Sequence, residues 1–204
     1  EGSAEGAVVQ KQAAVRLPRV REIVRACPDL GIRWLTVYAF STENWRRPIE
    51  EVVGLTRIFS IYIRAEAQRL LDEGVKLRFI GDRTPLDPRL RRLMDWSEAL
   101  TQHNTRLVLT VAINYGGRAE LISAAQKLVD GARNGLILPE DVNEDAVTNL
   151  LTTAGLPDPD LIIRTSGETR ISNFMLWQSA HAEYEFIPTL WPDFTTRDME
   201  TIVQ

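Results

Sequence analysis

Cysteine is nearly absent from the sequence, and its scarcity excludes two kinds of site. Cys27 is the only cysteine among the 204 residues. A single thiol can form neither an intramolecular disulfide framework nor a zinc site built from several thiolates. Because free cysteine is among the most buried residue types, Cys27 is predicted to pack in the core of a protein that folds in a reducing compartment.

The chain also lacks a net positive charge. The chain carries a formal net charge of −4 at pH 7, whereas a protein that binds nucleic acid needs a basic face. Nucleic acid is therefore not an expected partner. Among the basic residues, lysine is rare, with 3 lysines against 21 arginines. Because arginine is common throughout the chain, a single arginine is weak evidence for an anion site, and only clusters of arginine indicate one.

Long apolar runs are missing as well. No stretch reaches the roughly 18 to 20 apolar residues that cross a bilayer, and the first residues lack the charged, apolar and small-residue order of a secretory leader. The chain is 44% hydrophobic over 204 residues, which is enough to bury one full core. A single cytoplasmic domain over residues 1–204 is expected.

The usual nucleotide-binding and zinc motifs are absent too. The sequence contains neither G-x-x-x-x-G-K-[ST] nor G-x-G-x-x-G, the two common glycine-rich phosphate loops. No grouping of histidine, cysteine and carboxylate residues has zinc spacing. Any phosphate that the protein binds must therefore be held in another way.

Apolar runs and helical periodicities alternate along the chain. This pattern predicts an α/β fold with a mostly parallel central sheet that is flanked by helices. Asn143 can cap the helix predicted over 143–155, and Gly155 can end it. The predicted strands cover 31–40, 75–81, 106–114 and 160–164, and the predicted helices cover 19–27, 50–71, 88–103, 118–132 and 143–155.

Arginine, hydroxyl, amide and glycine residues concentrate in the loops after the predicted strands. Ligands of such sheets bind at the carboxyl ends of the strands, and guanidinium forks and free N–H groups bind phosphate oxygens. The loops therefore predict a ligand with more than one phosphate, or two ligands. They read FSTENWRRP (40–48), GDRTPL (81–86), NYGGR (114–118) and RTSGETRISN (164–173).

Single residues in these loops also have ordinary structural explanations. Arg47 alone is typical of a solvated or helix-capping arginine, and Asn44 of a turn residue that closes on its own backbone. Trp45 is typical of a packing aromatic. Glu183 alternates with aromatic residues as a surface carboxylate would. Arg164, Arg170 and Ser172 are harder to explain in this way because they crowd one loop directly after an apolar strand.

The sequence contains four longer strings that belong together, namely GIRWLTVYAFSTENWRRP, AINYGGR, DLIIRTSGETRISNFMLWQ and AEYEF with LWPDF. Together they resemble the cis-prenyltransferase family, which includes the bacterial undecaprenyl diphosphate synthases. The similarity runs in order from about residue 30 to 204. The resemblance implies repeated condensation of isopentenyl diphosphate onto an allylic diphosphate, with Mg²⁺ as cofactor and a cis double bond formed each time.

The resemblance also implies a product and a primer. Long-chain eukaryotic members carry an insertion after the helix over 52–71, and this chain has none between residues 48 and 81. A medium-length product such as undecaprenyl diphosphate, a carrier lipid for cell-wall synthesis, is therefore expected from a farnesyl diphosphate primer. The growing chain would occupy an apolar tunnel between the sheet and the helix over 52–71, with Ala39 and Phe40 at its mouth.

Matched residue by residue, the resemblance assigns site roles. Arg164, Arg170 and Ser172 match the isopentenyl diphosphate site, and Glu183 matches a carboxylate that helps to hold Mg²⁺. A further loop matches the F-S-x-E-N-W-x-R-P pattern, which closes over substrate and is implicated in positioning and proton removal. Its members here are Ser41, Glu43, Asn44, Trp45 and Arg47.

Two segments of the family have no counterpart in these residues, namely an Asp-Gly-Asn loop followed by Gly-His, and a terminal arginine-rich segment that completes the partner's site in a dimer. Three explanations are open: the polypeptide has residues beyond these 204, the chain has been shortened, or the protein is a noncatalytic supporting subunit. The first is favoured, because active-site loops and termini are commonly mobile. The expected assembly is a homodimer that works near the membrane, which accepts the product.

Overall fold

The computed structural model describes residues 17–204. The helices are α1 (17–26), α2 (Ile49–Asp72), α3 (Pro88–Thr101), α4 (Gly117–Arg133), α5 (Glu144–Leu150) and α6 (Thr196–Val203). The strands are β1 (Trp34–Ser41), β2 (Val75–Ile80), β3 (Leu107–Tyr115), β4 (Leu161–Arg164) and β5 (Glu183–Phe186). The first four helices and first four strands fall close to the ranges that the sequence predicts, whereas α5 is shorter than predicted and β5 and α6 were not predicted.

Every strand pairing in this part of the chain is parallel. β3 lies in the centre of a three-stranded sheet of order β1-β3-β2. β4 pairs with β5 in a separate two-stranded sheet. The predicted α/β class with parallel strands flanked by helices is confirmed, although the strands divide between two sheets. The single-domain prediction also covers residues 1–16, which lie outside the described residues.

The central strand carries the most buried residues of the larger sheet. Leu107, Leu109 and Ala112 of β3 are almost completely buried. The prediction of a buried first strand was wrong, since Trp34 of β1 is 47% exposed and Phe40 is its only fully buried residue. β1 lies at an edge of the three-stranded sheet, and its apolar composition does not reveal which strand takes the central position.

Helix α2 packs its apolar side into the main core. Val52, Leu55, Phe59 and Ile63 are buried at the spacing of one helical face, as the periodicity predicts. No helix between residues 17 and 204 has both the length and the apolar character that crossing a bilayer requires.

Cys27 follows α1 and is completely buried in the same core, which confirms its predicted position. Burial raises the pKa of Cys27 to about 12. The thiol is therefore protonated at neutral pH and is not a reactive nucleophile.

Helix α5 starts at its predicted cap but is shorter than predicted. The Asn143 side chain accepts a hydrogen bond from the backbone N–H three residues on, as an N-cap does. The helix ends at Leu150 rather than near Gly155, because Leu151 adopts an extended conformation. Beyond it, the guanidinium of Arg78 donates to the carbonyls of Thr152 and Ala154. Arg78 lies on β2, so periodicity around residue 150 does not reveal these contacts.

Candidate functional site

A cavity of about 550 Å³ opens where β1 and β4 end. This position at the carboxyl ends of parallel strands is the one that the loop composition predicts. Eight predicted site residues line it, namely Ala39, Phe40, Ser41, Glu43, Asn44 and Arg47 from β1 and its loop, and Arg164 and Ser172 from β4 and its loop. Two cationic side chains, hydroxyls and an aromatic ring therefore share one recess.

The loop after β1 is held as a short 3-10 helix over Thr42–Arg46. The Oδ1 atom of Asn44 accepts a hydrogen bond from the backbone N–H of Ser41 at 2.9 Å. The ordinary explanation for Asn44, closure on its own backbone, is therefore correct, yet the residue also lines the cavity. The hydrogen bond fixes the loop that presents Glu43.

Trp45 packs beneath this loop and does not line the cavity. Its indole meets the ring of Phe40 edge to face, with centroids 5.6 Å apart, and its Nε1–H donates to Oδ1 of Asn114 at 2.6 Å. Asn114 in turn donates to the carbonyl of Asp82 at 2.8 Å. Trp45 therefore packs as an aromatic side chain, its match to a substrate-binding position stays a prediction, and through Asn114 it joins the loops after β1 and β2 to the end of β3.

Tyr38 lines the cavity but was not among the predicted site residues. Its hydroxyl donates to the carbonyl of Tyr115 at 2.8 Å. Burial and then the negative charge of Glu43 raise the pKa of Tyr38, and the positive charge of Arg164 opposes them. Tyr38 therefore stays protonated as a donor. A register shift between Tyr38 and Phe40 interrupts the alternation of β1. The ring of Tyr38 therefore packs against Tyr115 and Phe174, and the period of the sequence does not reveal that it lines the cavity.

A buried carboxylate next to the cavity joins several segments of the chain by hydrogen bonds. Glu120 of α4 accepts hydrogen bonds from the hydroxyl of Tyr115 and, at 2.8 Å, from the side-chain amide of Gln178. The carboxylate also accepts from the backbone N–H and the hydroxyl of Thr152. These donors come from separate segments, so the network ties β3, α4 and the segment after the arginine loop together.

The arginine loop contributes unequally to the cavity. Arg164 is half-buried and lines the cavity with Ser172. Arg170 is not among the lining residues, since its side chain is 72% exposed and pairs with Glu168 at 3.0 Å. The structure therefore brings together two of the three residues that the sequence groups in this loop.

Glu43 is an exposed carboxylate at the rim of the cavity. Partial burial acts to raise its pKa, but hydrogen bonds from its own backbone N–H, the Asn173 amide and the hydroxyls of Thr42 and Ser41 outweigh burial and lower the pKa of Glu43. The carboxylate is therefore ionised at neutral pH. Asn173, like Tyr38, is a lining residue that was not predicted, although it directly follows Ser172.

Glu183 lies apart from the lining residues. It is the exposed first residue of β5, opposite Leu161, whereas Arg164 is opposite Phe186 at the other end of the pair. Glu183 and Arg164 therefore lie at opposite ends of the strand pair, three residues or about 10 Å apart along the strand direction. No cluster of three or more histidine, cysteine, aspartate or glutamate side chains suited to a metal occurs among residues 17–204.

Between residues 17 and 204, five residues other than glycine adopt positive φ angles, one at the end of β3 and four after β4. Such conformations are costly and are retained where the surroundings impose them, often at functional sites. Their clustering beside the cavity marks this edge as a preorganised region. The residues are Asn114, Ser166, Ser172, Asn173 and Met175.

The chain is similar to known proteins over most of its length. Residues 8–204 match the family model described as "Putative undecaprenyl diphosphate synthase". The chain is 45% identical over 181 residues to an isoprenyl transferase of Brucella abortus, an alignment that covers 89% of this chain and 71% of the relative.

A second relative and a solved structure extend the comparison. The chain is 47% identical over 185 residues to a ditrans,polycis-undecaprenyl-diphosphate synthase ((2E,6E)-farnesyl-diphosphate specific) of Vibrio parahaemolyticus, covering 91% of this chain and 72% of the relative. The lavandulyl diphosphate synthase of Lavandula x intermedia, solved with dimethylallyl diphosphate, superposes with a TM-score of 0.90 at 32% identity, covering 95% of this chain and 84% of that one.

Proposed function

Because the chain belongs to the undecaprenyl diphosphate synthase family of prenyltransferases, we propose that it condenses isopentenyl diphosphate with an allylic diphosphate to a medium-length cis-polyprenyl diphosphate. The name of the relative from Vibrio parahaemolyticus supports farnesyl diphosphate as the primer and undecaprenyl diphosphate, a carrier lipid for cell-wall synthesis, as the product. The named relatives are transferases and synthases, and none favours a noncatalytic supporting subunit.

The observation that carries the proposal is the shared cavity of Arg164, Ser172, Arg47 and Glu43. In the condensation, the bond from the allylic carbon to the diphosphate oxygen breaks as a new carbon–carbon bond forms to isopentenyl diphosphate. Negative charge then grows on the leaving oxygens, and guanidinium groups stabilise it. The arginines suit the diphosphates in charge and in bidentate geometry.

Proton removal completes the reaction. After the carbon–carbon bond forms, the condensed unit loses a proton as its double bond forms. Glu43 is ionised and lies in the same cavity as Ser41, Asn44 and the arginines. We therefore assign Glu43 as the proton acceptor of this loop, with Asn44 and Ser41 holding the loop's conformation through their mutual hydrogen bond.

The apolar part of the cavity suits the hydrocarbon chain. Tyr38, Ala39 and Phe40 line one side, and Phe40 contacts Phe59 of α2 edge to face with centroids 6.4 Å apart. A growing prenyl chain in this direction would pass between β1 and α2. We therefore also propose an apolar tunnel along α2, because the free energy of an apolar product falls when it is removed from water.

A divalent cation fits this chemistry through Glu183. The carboxylate is exposed, and Mg²⁺ commonly takes one or two carboxylates together with phosphate oxygens. Bound there with a diphosphate, Mg²⁺ would offset the negative charge of the leaving oxygens. Glu183 would hold the cation, and Arg164 and Arg170 would bind the remaining oxygens.

Glu183→Gln is expected to raise the Mg²⁺ concentration needed for half-maximal turnover by about tenfold or more, because one charged ligand is lost. A Mg²⁺ titration of the initial rate measures this change. Glu185→Gln is the matched control, since Glu185 is also exposed and lies two residues along the same strand. Equal Mg²⁺ requirements in the two variants would remove Glu183 from the metal site.

The function is tested by incubating the protein with farnesyl diphosphate, isopentenyl diphosphate and Mg²⁺ and by measuring product masses. We expect a ladder of products that differ by one isoprene unit and end at one medium length, and we expect a chelator to abolish it. A folded sample that yields no product with Mg²⁺ present would contradict the proposed activity.

The family also supports a homodimer in the cytoplasm that releases its product to the membrane. The dimer, the cytoplasmic location and the membrane contact are proposed from the resemblance to the family. Light scattering after size-exclusion chromatography tests the dimer, and flotation with lipid vesicles tests the membrane contact.

A further inference from the structure

Asn173 joins three segments that border the cavity. Its Nδ2–H donates to Oε1 of Glu43 at 2.8 Å, and its Oδ1 accepts the backbone N–H of Arg118 at 2.8 Å. Its backbone carbonyl accepts the N–H of Gly117, also at 2.8 Å. One side chain therefore connects the loop after β1, the first turn of α4 and the arginine loop.

The backbone around Asn173 is adapted to this arrangement. Ser172 and Asn173 have φ angles of 50° and 63°, a left-handed conformation that asparagine tolerates better than most residues. At Gly116, an added Cβ would lie 2.9 Å from Nδ2 of Asn173 and 2.5 Å from Oγ1 of Thr42. The absence of a side chain at Gly116 thus allows the amide to approach Glu43.

The chemistry of the amide suits Glu43 specifically. Glu43 offers only acceptor oxygens when ionised, and Asn173 supplies a donor at one end and an acceptor at the other. The charged or titratable groups that share the cavity with Glu43 are Arg47 of its own loop, Tyr38 of β1 and Arg164 of β4. The neutral hydroxyls of Thr42 and Ser41 belong to the loop of Glu43 itself, whereas Asn173 contacts the carboxylate from a different segment.

We propose that Asn173 is a positioning residue, which holds the carboxylate of Glu43 at a fixed place relative to Ser172 and Arg164. This inference rests on the proposed function for its catalytic meaning, because Glu43 is there the proton acceptor. Asn173 acts through Glu43 and is not itself a catalytic residue. Its loss should therefore lower kcat more than it raises KM.

Asn173→Asp is the decisive variant. Aspartate keeps the shape, the tolerance for positive φ and the acceptor for the N–H of Arg118, but it replaces the donor to Glu43 with a second negative oxygen. Like charges at this distance raise the pKa of a carboxyl group, so the pKa of Glu43 should rise. Because the reaction needs the ionised form, activity is lost as pH falls through this pKa, and the acid limb of the kcat profile should move to higher pH.

Asn104→Asp is the matched control. The Asn104 amide donates to the backbone carbonyls of Leu70, Leu71 and Val75, which lie at the end of α2 and the start of β2. The same chemical change there should lower the melting temperature without shifting the pKa of Glu43. A stability effect is thereby separated from a positioning effect.

The measurements are the pKa of Glu43, from NMR of carboxyl-labelled glutamate assigned with Glu43→Gln, and kcat as a function of pH. We expect kcat to fall about tenfold or more in Asn173→Asp, as for a lost hydrogen bond to a charged group. In a Glu43→Gln background the same change should cost almost nothing further, because coupled residues are not additive.

Two results would overturn the inference: a Glu43 pKa in Asn173→Asp that moves no more than in Asn104→Asp, or an undiminished loss of kcat in the Glu43→Gln background. If Asn173→Asp does not fold, Asn173→Gly keeps the backbone conformation, removes the donor and permits the same measurements. If the wild-type protein forms no product, the proposed function fails, while the pKa of Glu43 still decides whether Asn173 holds it.

Discussion

Arg164→Ala is expected to lower kcat/KM for isopentenyl diphosphate by about two orders of magnitude, mostly through a higher KM. Arg164 is half-buried at the end of β4 and lines the cavity together with Ser172. Charge-assisted hydrogen bonds contribute roughly 1.5–3 kcal/mol each, and a guanidinium can make two to one diphosphate. Steady-state kinetics with isopentenyl diphosphate as the varied substrate measure the effect.

Arg170→Ala provides the comparison within the same loop. Its side chain is 72% exposed and pairs with Glu168, so its removal should raise KM by a smaller factor than the loss of Arg164. Arg133→Ala, at the exposed end of α4, should leave KM unchanged and controls for the loss of one surface charge. An unaltered KM in a folded Arg164→Ala protein would remove this residue from the diphosphate site.

Gly81→Ala is expected to destabilise the fold by about 3 kcal/mol or more. Gly81 follows the last residue of β2 with φ of +111°, and an added Cβ would lie 2.1 Å from the backbone carbonyl oxygen of Ile113. Backbone atoms of the central strand cannot move away without breaking the sheet. For a protein of this size, such a loss lowers the melting temperature by about 6–12 °C.

Gly31→Ala separates the two causes of this loss. Gly31 also has a positive φ, of +76°, but an added Cβ would meet nothing within 4 Å. Only the conformational cost remains there, about 1–2 kcal/mol. Thermal and urea unfolding of both variants measure the difference, and equal losses would show that the close approach to β3 does not matter.

Much of the architecture could be predicted because periodicity reports directly on local structure. Helices α2, α3 and α4 fall within two residues of their predicted bounds, since one apolar face in every turn is a strong signal. The end of α5 was misplaced because the chain turns extended at Leu151, and the segment that follows is bound by Arg78, which is far away in the sequence. Long-range partners of this kind leave no periodic trace.

The candidate site was also predicted in large part, because loops after parallel strands meet at one edge of a sheet. Composition and resemblance identified Arg164, Ser172, Glu43 and Arg47, all of which line the cavity. The connections beneath them were not predictable. Asn114, at the end of β3, and Asn173, in a loop, are polar residues like many others until the fold brings their amides onto Trp45 and Glu43.

The sequence alone determined the α/β class, the parallel pairing, the absence of thiol chemistry and the family, because these follow from residue types and their order. Only the tertiary structure decided which strand is central, that Arg170 is exposed while Arg164 lines the cavity, and that Asn173 holds Glu43. The physical reason is that burial and hydrogen-bond partnership depend on residues distant in the chain, whereas periodicity and motif order are local.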